Sequence, residues 1–308
     1  MRNGEFAAKS TKRNIIDVST REACGRDYSP CECQVYPNNP SPNDIFVFCY
    51  NVTVQSIRDA FQRVNDPEIY SLQLSSLITV GTNNTISIPA NFLGNTSVTN
   101  IDIDCVGDYL VIDPLAFRFS ENETTEFLVA VCDLGLQADF SFLNGFEKLV
   151  TLGIDSANNI TAFQYLPPLP SLELLLITSS PDLNQIEFPD LSPAKLKELQ
   201  LAGNSLNDET ADAIVAKLTA STSADSLEHL HFISNPLTRV PNQVGSAFPR
   251  LKGVNFYANK ISQLSPSSFA FVPPLEWLNL NLNNITVVES GAFQGTKMYS
   301  GYIRSLLT

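Results

Sequence analysis

A single period governs what this chain can fold into. The segments LKELQLAGNSL (196–206), LEHLHFISNPL (227–237), LKGVNFYANKI (251–261) and LEWLNLNLNNI (275–285) share the template L-x-x-L-x-L-x-x-N-x-L. Looser copies begin at 69 (IYSLQLSSL), 98 (VTNIDIDCV), 125 (TEFLVAVCD), 149 (LVTLGIDSA) and 172 (LELLLITSS), and a broken copy, MYSGYIRSL, begins at 298. The first positions are separated by 29, 27, 24, 23, 24, 31, 24, 24 and 23 residues. Recurrence at about 20–29 residues is the mark of a solenoid. No coil of such an array buries its apolar face alone, so the array is one cooperative unit.

Each template position has a physical reading. The L-x-L pair alternates inward and outward as a strand must, so Leu199 and Leu201 should stack on Leu230 and Phe232 of the next coil. Strands about 4.8 Å apart then build one parallel sheet. The turn asparagines Asn204, Asn235, Asn259 and Asn283 are placed to hydrogen-bond backbone of neighbouring coils that burial would otherwise leave unsatisfied. Between strands run Phe-anchored segments such as IPANFLG (88–94), SPSSFAF (265–271) and ESGAFQG (289–295). The 31-residue step holds NDETADAIVAKLTA (207–220), whose capping residue, early acids and apolar spacing predict a helix near 209–219. The template is that of the leucine-rich repeat. The expected fold is an α/β solenoid: a horseshoe with a parallel concave sheet, a mostly irregular convex side and one convex helix.

The cysteines test the register. Aligned on leucines alone, Cys105 and Cys132 fall at the same template position in consecutive copies. In-register neighbours on parallel strands have Cα atoms about 5 Å apart, inside the disulfide window of about 4.4–6.8 Å, so a Cys105–Cys132 bridge is expected. The other four form Cys24-x6-Cys31-x-Cys33-x15-Cys49 ahead of the first repeat. Four cysteines allow three pairings. A zinc site is the rival reading, and the lack of a nearby histidine counts against it. DIFVFCYN (44–51) reads as a cap strand and VQSIRDAFQRV (54–64) as a short helix. The expected organisation is a disordered or non-native leader (1–22) without the apolar centre of a signal peptide, a cysteine cap (23–66) and a solenoid of about ten repeats (67–308). That solenoid is C-terminally incomplete, leaving its last edge exposed. Six sequons, at Asn51, Asn83, Asn95, Asn122, Asn159 and Asn284, together with even, clustered cysteines, predict a secreted glycoprotein or the outer face of a plasma membrane.

The cap CGRDYSPCEC (24–33) and the repeats from 196 to 295 resemble secreted arthropod leucine-rich-repeat proteins, the family that includes the non-catalytic subunit of crustacean luciferin monooxygenase. The likeness covers residues 24–308. It implies the bridges Cys24–Cys33 and Cys31–Cys49, and a non-enzymatic partner-binding or subunit role. It does not imply light emission. The spacing before Cys49 exceeds the family's, which leaves room for an insert at PNNPSPND (37–44). The repeat also occurs in receptor ectodomains and small proteoglycans, so it specifies fold better than function.

Composition narrows the partners. Thirty-two acidic residues stand against 19 Lys and Arg, a formal net charge of −13. Phosphate backbones need clustered cations, so nucleic acid is excluded, and anionic membrane surfaces are disfavoured. The acidity reads as a solubility device, with a basic partner as the other reading. No run of 18 apolar residues occurs, so no direct membrane insertion is expected in this segment.

In this fold template positions 3, 5 and 7 should line the concave face. They form an acidic strip (Asn100, Asp102, Asp104), then an apolar zone (Phe127, Val129, Val131, Leu174, Leu176) interrupted by Thr151, Gly153 and Asp155. The third zone is polar and aromatic, and its candidate binding residues are Glu198, Gln200, His229, His231, Asn255, Tyr257, Trp277, Asn279 and Tyr302. Ile233 and Asn281 share that face. Trp, Tyr and His on a rigid surface are types that carry interface energy. His229 and His231 are the only histidines. A metal would need further ligands, of which Glu198 is nearest, and two carboxylates at 102 and 104 are too few for calcium, so neither metal nor cofactor is expected. The pair also suits a pH-sensitive contact. No nucleophile elbow, phosphate loop or zinc signature appears, and the chain is expected not to be an enzyme. The leading expectation is an extracellular module binding a protein partner on the concave face, as accessory subunit or innate recognition protein, with self-association also open. The alternatives are an adhesive matrix component and the ectodomain fragment of a receptor. All six sequons miss positions 3, 5 and 7, which favours binding.

Overall fold

The computed structural model describes residues 22–36, 44–80, 83–137, 139–160, 166–182, 194–266 and 268–296. Residues 1–21 of the leader, 37–43 of the insert and the last copy fall outside them, while Glu22, read as leader, lies in the first cap strand. Twelve strands form one sheet in chain order, broken only where Thr85–Ile88 pairs with Tyr109–Ile112, and Gln263–Leu264 with Val287–Val288, in two small parallel sheets on the convex side. From Ile45–Tyr50 onward every neighbouring pair in the large sheet is parallel. Leu199 pairs with Leu230, and the inward Leu201 and Phe232 are both fully buried. The horseshoe read from the repeat is the observed fold.

The cap closes one end. Glu22–Ala23, Glu32–Val35 and Ile45–Tyr50 run antiparallel, and the last pairs in parallel with Glu68–Ser75. The edge strand that would otherwise invite a stray partner is thereby covered. Bridges Cys24–Cys33 and Cys31–Cys49 hold the cap, with Cα separations of 5.6 and 4.4 Å. Helix α1 (Val54–Val64) follows, with Thr53 Oγ1 accepting the Ser56 N–H at its start. It buries Ile57, Ala60 and Phe61, and the Tyr28 ring meets Phe61 edge-on at 5.2 Å. The Tyr28 hydroxyl donates to Asp66, which also pairs with Arg26.

The asparagine ladder is built as its position demands at Asn204, Asn235 and Asn283, while Asn259 donates to the Phe232, Phe256 and Tyr257 carbonyls but leaves its Oδ1 enclosed without a partner. Asn235 Oδ1 accepts the N–H groups of Asn204 and Leu206, while its Nδ2 donates to the carbonyls of Leu201 and Ile233. Asn204 takes Ser180 N–H and donates to Ile177; Asn283 takes Ile261 N–H and donates to Phe256 and Leu280. Buried backbone that coiling leaves unpaired is thus satisfied from the next coil. Ser180 fills the same position in an upstream copy, its hydroxyl accepting from Ala157 N–H.

Helix α2 (Asp208–Thr219) lies on the convex side, capped by Asn207, whose side chain accepts the Thr210 N–H. It buries Ala211, Ile214, Val215 and Leu218. Asp212 grips the following loop through Arg239 and the Asn242 N–H.

One expectation is corrected. The third copy begins at 124, not 125. Glu126 pairs with Asn100 and Thr151, Leu128 with Asp102 and Gly153, and Ala130 with Asp104 and Asp155. Phe127 and Val129 therefore face the core, at 0% and 2% exposure, and do not line the concave surface. A one-residue slip reverses every side chain of a strand, and the run Phe-Leu-Val-Ala-Val is apolar in both phases, so alternation does not fix it. Val131 sits at the turn with φ of 51°. The Cys105–Cys132 bridge nevertheless exists, with Cα atoms 4.8 Å apart. The two cysteines sit one template position apart, not at the same one.

Among the described residues no helix is long and apolar enough to cross a membrane, and no group of three His, Cys, Asp or Glu is placed to hold a metal ion.

Candidate functional site

The register lays three rows across the concave face. Position 3 runs Leu174, Glu198, His229, Gly253, Trp277. Position 5 runs Leu176, Gln200, His231, Asn255, Asn279. Position 7 continues through Ala202, Ile233, Tyr257 and Asn281. Eight of the nine predicted third-zone residues, Glu198, Gln200, His229, His231, Asn255, Tyr257, Trp277 and Asn279, therefore share one face, although Asn255 is buried there and offers a partner little contact. Tyr302 lies outside the described residues.

A glycine organises the centre. His229 and Trp277 stand two strands apart, about 9–10 Å at ordinary strand spacing, yet their rings stack 5.7 Å apart and 10° from parallel. They lean together over Gly253, where a Cβ would fall inside the indole and lie 2.7 Å from His229 Nδ1. His231 closes the group from the side, its ring 5.4 Å from Trp277 and 6.5 Å from His229. Trp277 is half-buried in this cluster rather than in the hydrophobic interior. Gly253 sits at position 3 of a copy from which sequence reasoning took only Asn255 and Tyr257. A glycine where every other third-zone copy carries a large side chain was the available signal.

Charge at the cluster is unbalanced. Glu198 Oε1 lies 3.3 Å from His231 Nε2, close enough for an ion pair once the imidazole is protonated, but too oblique for a hydrogen bond. His231 Nε2 and His229 Nδ1 are both enclosed without a hydrogen-bond partner. Burial lowers the His229 pKa, against the pull of the Glu198 carboxylate; His231 and Lys252 lower it further and Glu228 raises it. Burial pushes the Glu198 carboxyl up, but contact with His231 and the charge of both imidazoles outweigh it and hold Glu198 below its ordinary value. Asn255 Oδ1 accepts the Tyr257 N–H and Asn279 Oδ1 the Asn281 N–H, which fixes both amides along the row.

The second zone persists with other residues. Leu128 reaches over Gly153 toward Leu176, so the apolar patch is Leu128, Leu174 and Leu176. Beside the concave face, at position 2, Glu173 pairs with Lys197 at 2.7 Å and Glu228 with Lys252 at 2.6 Å. The described sequon asparagines, Asn51, Asn83, Asn95, Asn122, Asn159 and Asn284, are all exposed and all off the three rows.

Sequence comparison with known proteins agrees with this architecture. The leucine-rich-repeat family model matches residues 249–298. The chain is 24% identical over 160 residues to the non-catalytic subunit of Oplophorus-luciferin 2-monooxygenase from Oplophorus gracilirostris, covering 52% of this chain and 42% of that protein. It is 24% identical over 206 residues to Tsukushi from Gallus gallus, covering 65% and 51%. It is 33% identical over 132 residues to Toll-like receptor 3 from Boselaphus tragocamelus, covering 41% and 14%. The chain thus spans about half or less of each of these relatives. A chain of the Drosophila Toll–Spatzle complex superposes with a TM-score of 0.49 at 12% identity, over 88% of this chain and 41% of that one. Repeat, register, asparagine ladder and bridged cap make this chain a leucine-rich-repeat solenoid with an N-terminal cysteine cap.

Proposed function

We propose that this solenoid is a non-enzymatic module that works outside the cell and holds a protein partner on the third zone of its concave face, as an accessory subunit or recognition protein. The observation that carries the reading is the Glu198–His231–His229–Trp277 cluster, preassembled over Gly253 on a sheet that no sequon touches. Rigid aromatic groups in a half-enclosed setting contribute most to interfaces because little side-chain freedom remains to be lost. Three disulfides agree with an oxidising compartment. One relative is a subunit named as non-catalytic and another is a receptor, which supports binding over chemistry.

The test is capture of partners from extracellular fluid by the parent chain, Trp277→Ala and His231→Ala. The reading expects a protein that the parent retains and both variants lose by tenfold or more, about 1.4 kcal/mol or above. Equal recovery by all three would remove the third zone as the binding site.

A further inference from the structure

The concave face is acidic in a particular way. Over the nine described copies, positions 3, 5 and 7 carry Asp102, Asp104, Glu126, Asp155 and Glu198, and not one Lys or Arg. The 19 Lys and Arg of the chain include none on this surface of those copies. The nearest, Lys197 and Lys252, stand at position 2, beside the sheet's face, each matched to a glutamate. The only groups on the face that can become positive are His229 and His231, and they stand against Glu198 and Trp277. We propose that the concave face takes a basic partner, a protein segment presenting Lys or Arg, near neutral pH and releases it on acidification, when His229 and His231 place positive charge on that same face. The proposal rests on the concave-face reading above and deepens it.

The argument is one of charge complementarity and competition. With both imidazoles neutral, Glu198 has no cation of its own, and the Trp277 ring on the far side of the two histidines offers a π-surface that attracts guanidinium and ammonium groups. Asp155 and the acids at 102, 104 and 126 extend the same sign along the face, which steers a basic partner in and turns an acidic one away. A protonated imidazole at 231 is an internal cation 3.3 Å from Glu198 and takes the place of the external one. Burial disfavours the charged form of His229 and holds its pKa below the ordinary imidazole value. The groups facing it are Glu198 on one neighbouring strand, Lys252 on the other, Glu228 and His231 on its own, and Trp277 beyond. Glu228 is already matched to Lys252, so within the third zone two imidazolium charges share Glu198 and the local charge turns positive, while the acids at 102, 104, 126 and 155 keep their sign.

The test is an anisotropy titration of the full chain with fluorescein-labelled peptides alternating Gly with Arg or Gly with Glu, near pH 7.4 and near pH 5.5. At neutral pH the arginine peptide should bind and the glutamate peptide should not. Acidification should weaken binding on the order of tenfold. Glu198→Gln should weaken it several-fold at neutral pH, while Glu209→Gln on the convex helix changes nothing. The double variant His229→Gln/His231→Gln should keep its affinity at acid pH. Equal binding of both peptides, equal affinity at both pH values, or equal effects of Glu198→Gln and Glu209→Gln would each overturn the proposal. Should the double variant fail to fold, the pH dependence of the parent and the Glu198→Gln comparison still decide. If the arginine peptide fails while Trp277→Ala still loses a captured partner, the third zone stands and the basic-partner inference falls. If the peptide behaves as expected while Trp277→Ala retains the partner, the reverse holds.

Discussion

At the scale of single residues, the turn after each strand stores strain. Position 8 is left-handed in eight copies, and its occupants are Ser76, Val131, Ser156, Ser179, Gly203, Ser234, Ala258 and Leu282, only one of them glycine. A β-branched residue suffers most there, because Cβ crowds the following carbonyl at a cost of about 1–2 kcal/mol. Val131 is 39% exposed, so a polar replacement that keeps its Cβ can retain part of its contacts. Val131→Asn, a residue that tolerates the left-handed region without glycine's entropy cost, should therefore raise the midpoint of thermal unfolding, by about 0.5–1 kcal/mol of stability; a lower midpoint would show that the valine side chain contributes more than the strain costs. Tyr28 supplies a pH signature. Burial raises its pKa to about 12, opposed by Arg26. The neutral phenol is thus favoured in the fold, and its contribution is whole below pH about 10, then lost as pH rises from about 10 to about 12, by roughly 2–3 kcal/mol. The stability gap between parent and Tyr28→Phe should shrink across that window in urea titrations, and a gap constant with pH would count against it. The sequence placed His229 and Trp277 on one face correctly, but their contact was not legible. It depends on a missing Cβ at Gly253 and on two rings leaning across it, neither of which a template position encodes.

At the scale of elements, the coil is closed by side chains doing the work of backbone. Asn235→Ala should orphan the N–H groups of Asn204 and Leu206 and the Leu201 carbonyl, all buried. Unsatisfied buried groups cost about 1–3 kcal/mol apiece, discounted where water or a neighbour relaxes in. A loss of about 2–4 kcal/mol in chemical denaturation is expected; a loss under about 1 kcal/mol would mean that the ladder is decorative. The helices were readable because caps and spacing are local: Asn207 and Thr53 both accept the N–H that such caps should accept. Strand phase was readable only where polar residues alternate with apolar ones. LEHLHF has one consistent phase, EFLVAV has two, and the slip at 124 follows from that alone. The Cys105–Cys132 bridge tolerated the slip because the disulfide window spans more than one in-register pair.

At the scale of the whole molecule, the array behaves as a one-dimensional stack in which each coil touches only its neighbours. Two aromatic files run along it, Phe92–Phe117–Phe127–Phe146 toward the cap and Phe232–Phe256–Phe269–Phe293 toward the far end. The Cys105–Cys132 bridge ties two adjacent coils within that stack, with a sequence separation of 27 residues. Seen as a mechanical object, the protein therefore contains a knot of fixed length near its N-terminal third. Stretched between its ends, it should pay out its coils as slack but stop about 90 Å short at that point, since each extended residue spans about 3.4 Å. Adding a thiol reductant to the pulling buffer should return that missing contour, together with the length held by the two cap bridges, while Cys105→Ser/Cys132→Ser should return the 27-residue part alone.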